Sequence, residues 1–281
     1  MPLFTLPEIL KQDVNVEYIA YPWLTLGGTM LIAAPNKSMK TFWGLNLATA
    51  IATGKPFAET PTMQRRTLYI DFEIGIGEAK KRLAPLERHY GSTTDFLIRT
   101  SDEIPIGLDA GTVGTSNLFD LLADVHPQVV VFDTLRMSHM GEENSNTDMA
   151  KVFTRLRDLK LKFNFTAVVI HHLGKEPSEL QTAPRTSRGA SVIEDFPDTV
   201  GYITKHVTGD DEAPKLSIRW KFRNHAEIPH SKFTFDPGSG LFVRTPVVHR
   251  ERKAVKHESI EKVAESEGLN ISNGLLSAVR G

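Results

Sequence analysis

Thr29-Met30-Leu31-Ile32-Ala33-Ala34-Pro35-Asn36-Lys37-Ser38-Met39-Lys40-Thr41 runs from a short apolar strand pattern into a polar loop ending in Lys-Thr. Thr41–Thr53 continues with helical period and closes at Gly54, just before Pro56. Strand, loop and helix in that order are what a phosphate-binding loop requires. Backbone N–H groups at the helix start surround the phosphates, a lysine neutralises them, and the next hydroxyl holds Mg²⁺. The spacing fits G-x-x-x-x-G-K-[ST], with Ala34 and Met39 in the two glycine positions. Met39 is the demanding replacement, because its Cβ must fit where the backbone turns tightly around phosphate. Ala34, Pro35, Asn36, Lys37, Ser38, Met39, Lys40 and Thr41 are the candidate nucleotide-binding residues. Taken alone, the loop also fits a plain strand-loop-helix carrying an exposed Lys-Thr pair.

Outward from this stretch, short β-branched runs alternate with longer helical segments. That order points to an α/β fold with a mostly parallel twisted sheet flanked by helices. Predicted strands are Thr29–Ala34, Thr67–Asp71, Phe96–Thr100, Val129–Asp133, Ala167–His171 and Val200–Thr204. Several are apolar on both faces, as strands inside a parallel sheet are. A helix is predicted over Asn117–Val125 behind a Ser116 cap. Another starts at Asn146/Thr147, its stripe formed by Met149, Val152, Phe153, Leu156 and Leu159. Leu216–Lys221, Lys232–Asp236 and Leu241–Arg244, separated by Gly, Pro and Asp, read as antiparallel strands added to the sheet edge. The division expected is a core over 1–244 and a basic, partly helical tail over 245–281, the tail more akin to a solvated contact segment than to half a helix-turn-helix.

Further patterns carry chemistry. Val129–Asp133 is a buried strand ending in a carboxylate, suited to orienting Mg²⁺ at the carboxyl edge of a parallel sheet. Many α/β strands end this way, but together with Lys40-Thr41 the combination is far more specific. Thr67–Asp71 continues as Phe72-Glu73, and one of Asp71 and Glu73 can polarise an attacking water; Glu73 reaches further. In His171-His172, neighbouring residues on a strand face opposite ways, so one ring packs in the core and the other, His172, faces a nucleotide γ-phosphate. A transition-metal site is the weaker reading, since no ligand set of four is completed. Finally, Lys221 and Arg223, two apart on a predicted strand, project from one face and could reach one phosphate; a solvated pair is the default otherwise.

Composition limits the alternatives. The chain has 281 residues, with 33 Lys+Arg against 34 Asp+Glu and no cysteine. A formal charge of −1 excludes coating nucleic acid or an anionic membrane through bulk charge, so any polyanion must meet a local patch. Without cysteine there is no disulfide, thiolate metal site or cysteine nucleophile. No stretch approaches the ~18 apolar residues of a membrane span, so a soluble, cytoplasmic protein with no membrane partner is expected.

These motifs resemble those of RecA-like P-loop ATPases, most closely the plasmid and phage RepA-type hexameric helicases, over roughly residues 20–236. Ala34–Thr41 resembles the Walker A variant of that group, and Tyr69-Ile70-Asp71-Phe72-Glu73 the strand ending in the catalytic glutamate. Asp133-Thr134-Leu135 resembles Walker B, with Glu143-Asn144-Ser145-Asn146 in the loop after it, and His172 takes the γ-phosphate sensor position. Lys221-Phe222-Arg223-Asn224 resembles the K-x-R-N element that DnaB-like and KaiC-like hexamers insert into a neighbour's site.

The resemblance implies ATP and Mg²⁺ as cofactors, a homo-oligomer, expected to be a hexameric ring, and single-stranded DNA as partner. It implies Lys40 on the β/γ-phosphates, Thr41 and Asp133 on Mg²⁺, Glu73 on the water, and Lys221 with Arg223 acting from the next subunit. Lys175, Arg185 and Arg188 fall where such proteins carry a DNA-binding loop. The expected function is a replicative-type DNA helicase. The alternatives are a KaiC-like or recombinase-like ATPase without unwinding, and a nucleotide-binding scaffold without turnover, which the two missing glycines motivate.

Overall fold

Strands with no polar face need a sheet covered on both sides, and that requirement organises the molecule. The computed structural model describes residues 3–12, 16–173, 191–206 and 213–245. In chain order the elements are α1 (Leu6–Leu10), β1 (Tyr18–Ala20), β2 (Leu24–Thr25), β3 (Thr29–Ala34), α2 (Lys40–Thr53), β4 (Thr67–Asp71), α3 (Ile76–Tyr90), β5 (Phe96–Arg99) and α4 (Val113–Val125). They continue with β6 (Val129–Asp133), a 3-10 turn (Leu135–Ser138), α5 (Asn146–Phe163), β7 (Thr166–His172), α6 (Val192–Asp195), β8 (Thr199–His206), β9 (Lys215–Phe222), β10 (Ser231–Asp236) and β11 (Leu241–Thr245).

Nine strands form one sheet in the order β11-β10-β9-β8-β3-β7-β6-β4-β5. From β8 to β5 neighbours are parallel, and β9, β10 and β11 extend the sheet antiparallel. The predicted α/β class and antiparallel edge are therefore both present. Every residue of β3, β4 and β6 is buried, as their composition requires.

Alternation sorts the side chains into two cores. On the α2 side, Met30, Ile32, Val129, Val131, Val168 and Ile170 pack with Trp23, Trp43, Phe57 and Trp220. On the other side, Leu31, Ala33, Val130, Phe132 and Val169 meet the stripe of α5 and Leu118 and Leu122 of α4. Helix α2 is buried nearly all round, packed on the sheet and beside α3, and at the β10–β11 turn Asn46 Nδ2 donates to the Gly240 carbonyl at 2.9 Å. Gly44 sets its distance from the sheet. A Cβ there would stand 2.6 Å from Ile170 Cδ1 and 3.0 Å from the Tyr69 hydroxyl oxygen.

Several predicted boundaries shift: α2, β7, β8, β9, β10 and β11 each extend one or two residues beyond the expected range at one or both ends. Helix α4 starts at Val113, not at Asn117, because Thr112 rather than Ser116 is the cap, its hydroxyl accepting the Thr115 N–H at 3.2 Å. Strand β5 stops at Arg99, one residue short of the expected Thr100. The 245–281 tail lies outside the described residues beyond Thr245. Among the described residues, no helix is long and apolar enough to cross a membrane.

Candidate active site at the carboxyl edge of the sheet

The loop after β3 turns into α2 through two left-handed residues, Lys37 (φ 60°) and Met39 (φ 70°). Met39 thus adopts the backbone that a glycine in its place would adopt freely, at a cost of roughly 1–2 kcal/mol. Its side chain packs against the α2-side core rather than into the loop, which answers the steric demand of that position. Lys40 is only 6% exposed, so the alternative of a solvated Lys-Thr pair does not hold. Burial lowers the Lys40 pKa, and Asp133 and Glu73 oppose that shift, so the ammonium sits in a desolvated pocket beside two carboxylates.

Strand parity delivers those carboxylates. Asp133 follows Val129 and Val131 on the α2 side of β6, and Asp71 follows Tyr69 on the same side of β4. The two aspartates are register partners on adjacent strands, each 2% exposed. Burial pushes Asp133 up to about 7 and the neighbouring Asp71 adds to the rise, while the Tyr69 and Thr41 hydroxyls pull it down. Tyr69 donates to Asp133 Oδ2 at 2.7 Å. Asp71 Oδ1 accepts the backbone N–H groups of Glu73 (2.9 Å) and Ile74 (3.0 Å), fixing the turn that carries Glu73. Its own pKa is raised, mainly by burial. Asp71 Oδ2, Asp133 Oδ1 and the Ser38 hydroxyl are buried with no hydrogen-bond partner among the described residues.

Glu73 stands beyond the strand end, its Oε1 accepting from the Thr134 hydroxyl at 3.0 Å and lying 3.2 Å from His172 Nε2. Burial lowers the His172 pKa, Lys40 lowers it further and Glu73 opposes, so the ring is neutral at neutral pH. His171 points the other way, as alternation requires. It is fully buried with Nδ1 3.4 Å from Glu143 Oε1. Burial alone would raise Glu143, but His171, Arg136 and His139 hold it below the usual carboxylate range. Among the described residues no group of three or more His, Asp and Glu side chains is placed to hold a metal ion.

Lys40, Thr41, Asp133, Glu73 and His172 therefore converge. Lys221 and Arg223 do not join them. The Arg223 N–H donates to the Asp198 carbonyl and the Asp198 N–H to that of Thr29, so Arg223 is level with the first residue of β3. The phosphate loop leaves from the last residue, five steps or about 16 Å away along the strand. Lys221 also sits between Trp220 and Phe222, which pack with the α2-side core, and so faces the opposite side of the sheet. There Lys221 Nζ lies 3.8 Å from Glu194 and 3.9 Å from Asp195, and Arg223 Nη2 donates to the carbonyls of Asp195 and Phe196. Lys175, Arg185 and Arg188 lie outside the described residues.

Comparison with known proteins places this edge in a family. The model of the AAA domain family matches residues 6–178, well over half of the chain. The chain belongs to the AAA domain family. This AAA domain shares its fold with a DnaB-like replicative helicase solved in a study of its interactions with primase. The TM-score is 0.60 at 14% identity, over 85% of this chain and 66% of that one. A second solved structure, itself an isolated ATPase domain, gives TM-score 0.59 at 14% identity over 85% and 95% of the two chains. The flagellar accessory protein FlaH from Methanocaldococcus jannaschii gives 0.51 at 12% over 78% and 90%. The sheet is thus RecA-like, as the motifs implied, and the chain spans about two thirds of the DnaB-like helicase.

The residues of this AAA domain fit Mg·ATP. Mg²⁺ is bound typically through one or two carboxylates, a hydroxyl, waters and substrate phosphates. Thr41 beside Asp133, with unpartnered buried oxygens on Asp133 and Asp71, supplies that donor set. Reading along the chain reaches only the motif residues. Tyr69 and Thr134 act across strands, and the signal for them is the adjacency of β4 and β6 rather than any local spacing.

Proposed function

We propose that this chain hydrolyses Mg·ATP as a homo-oligomeric, hexameric ring and translocates on single-stranded DNA as a replicative-type helicase. The observation that carries the reading is the meeting of Lys40, Asp133, Glu73 and His172 at one sheet edge, with Arg223 at the opposite edge and Lys221, level with Leu31, on the opposite face. In this scheme the loop 34–41 wraps the phosphates and Lys40 neutralises the β/γ-phosphates. Thr41 and Asp133 hold Mg²⁺, which supplies charge neutralisation when bound. Glu73 orients the attacking water and takes its proton as the new P–O bond forms and the bond to ADP breaks. His172, a neutral donor, senses the γ-phosphate. Lys221 and Arg223 reach the site of an adjoining subunit, since their own lies on the far edge and face. Lys175, Arg185 and Arg188 contact DNA phosphates in the proposed channel, and the 245–281 tail is proposed as an appendage to the 1–244 core.

ATPase rate measured with and without single-stranded DNA, alongside oligomer mass with a non-hydrolysable ATP analogue and strand displacement on a forked duplex, tests this. Stimulated turnover, a six-membered ring and displaced strand are expected. FlaH, a flagellar accessory protein with the same fold, favours a second reading: an ATPase core whose turnover serves assembly. Turnover indifferent to DNA, with no displaced strand, selects that reading, and an oligomer that binds ATP without releasing phosphate overturns both.

A further inference from the structure

We propose that Thr134 is a positioning residue for Glu73, holding one carboxylate oxygen so that the other is presented to the attacking water. This rests on the assignment of Glu73 as the water-orienting group. Glu73 stands beyond the end of β4, where nothing in the sheet ladder fixes its side chain. Its backbone is secured from behind, by the N–H donated to Asp71 Oδ1. Its carboxylate is secured from the side, since the Thr134 hydroxyl donates to Oε1 at 3.0 Å. Thr134 is fully buried next to Asp133, at the end of the strand adjoining β4, so its hydroxyl is not free to swing into solvent.

The same Oε1 lies 3.2 Å from His172 Nε2. Two donors on one oxygen divide the labour. The His172 donor is needed at the γ-phosphate when ATP is bound, whereas the threonine hydroxyl has no competing claim among the described residues. Thr134 is therefore the donor that keeps Glu73 in place after His172 turns away. Both donors address Oε1, which leaves Oε2 for water, and a base must sit within hydrogen-bond reach of the proton it takes. A misplaced base costs rate without costing nucleotide affinity, because it makes no contact with the phosphates before the water attacks.

The test is a set of variants assayed for kcat, KM and affinity for a non-hydrolysable ATP analogue. Thr134→Val keeps the shape and removes the donor. A hydrogen bond to a charged group corresponds to a loss of about 10- to 100-fold, expected here in kcat with analogue affinity within about twofold of wild type. Thr134→Ser, which keeps the hydroxyl, recovers most of the rate. Should Thr134→Val fail to fold, Ser against Ala at the same position isolates the hydroxyl, with Ala expected slower by the same factor. A Thr134→Val enzyme with wild-type kcat, or Ser and Ala variants of equal rate, overturns the assignment while leaving Glu73 in its role. Glu73→Gln turning over like wild type overturns the underlying role and the assignment with it.

Discussion

The two edges of this sheet are built in opposite ways. At the carboxyl edge Lys40, Asp71 and Asp133 are nearly inaccessible, and one carboxylate oxygen of each aspartate is buried with no hydrogen-bond partner among the described residues. Burying such oxygens without a hydrogen bond is expensive, and the cation and polyphosphate proposed for this edge would satisfy them. Toward the amino edge, on the opposite face and level with Leu31, Lys221 is 54% exposed and leans on carboxylates at nearly 4 Å, a geometry that contributes little. One edge gathers buried carboxylate oxygens around a lysine, and the other holds a half-exposed cation against carboxylates at nearly 4 Å. The proposed assembly uses that difference by bringing the cations of one copy to the phosphate site of the next.

Mixing inactive variants is the sharpest way to break that comparison. Lys40→Ala removes the phosphate lysine, and Arg223→Ala removes the finger; each is expected to lower turnover on the order of a thousandfold or more. Arg223→Ala should still bind nucleotide. In a ring of heterologous contacts mixed at equal amounts, about a quarter of the interfaces join an intact loop from one variant to an intact finger from the other. Turnover should therefore reappear on mixing the two inactive proteins. If the mixture stays as inactive as its components, the cations do not act across the interface and the two edges are unrelated.

The second prediction concerns the cost stored at the carboxyl edge. Asp133 has a folded pKa of about 7 against an ordinary 3.8. The native chain thus keeps a proton that the unfolded chain releases near pH 4, and the stability this confers drains away as pH rises from about 4 to about 7. Asp133→Asn carries no such charge. In metal-free buffer at pH 8 the variant should be more stable than wild type, on the order of 4 kcal/mol, with nearly all of the advantage gone at pH 4. Thermal melts at the two pH values check it. An equal advantage at both would mean that the burial cost of the carboxylate is not what limits this edge.

How much of this could be read from the chain differs between fold and site for a physical reason. Thr29–Ala34, Thr67–Asp71 and Val129–Asp133 match β3, β4 and β6 because an apolar run bounded by turn residues leaves one solution. Helix α3 escapes the pattern, since only Ala79, Leu86 and Tyr90 are buried and Pro85 interrupts it. The start of α4 departs from its expected place because Thr112 and Ser116 both satisfy the local rule, and the tertiary position of the helix chooses between them. At the site, Lys40, Thr41 and Asp133 are legible because strand ends and loop spacing are local properties. Asp71 as the support of the Glu73 turn, Tyr69 on Asp133 and Thr134 on Glu73 are not, and the last two depend on β4 lying beside β6, which strand order decides and no short window contains.

The smallest predicted effect separates the edges most cleanly. Lys221→Met retains an apolar stem and deletes only the ammonium, whose partners Glu194 and Asp195 lie at 3.8 and 3.9 Å. A half-exposed ammonium nearly 4 Å from its carboxylates is worth between nothing and about 1 kcal/mol, so the melting temperature of the isolated chain should hardly move. Under the proposed assembly, turnover should nevertheless fall, because the deleted charge is the one assigned to the γ-phosphate of the adjoining copy. At Lys40 the same substitution would alter both quantities, since that ammonium is buried beside Asp133 and Glu73 and its removal leaves their charges uncompensated. A Lys221→Met chain that loses several degrees of stability would show that the α6 contact is structural, and that the two edges differ less in kind than their exposure suggests.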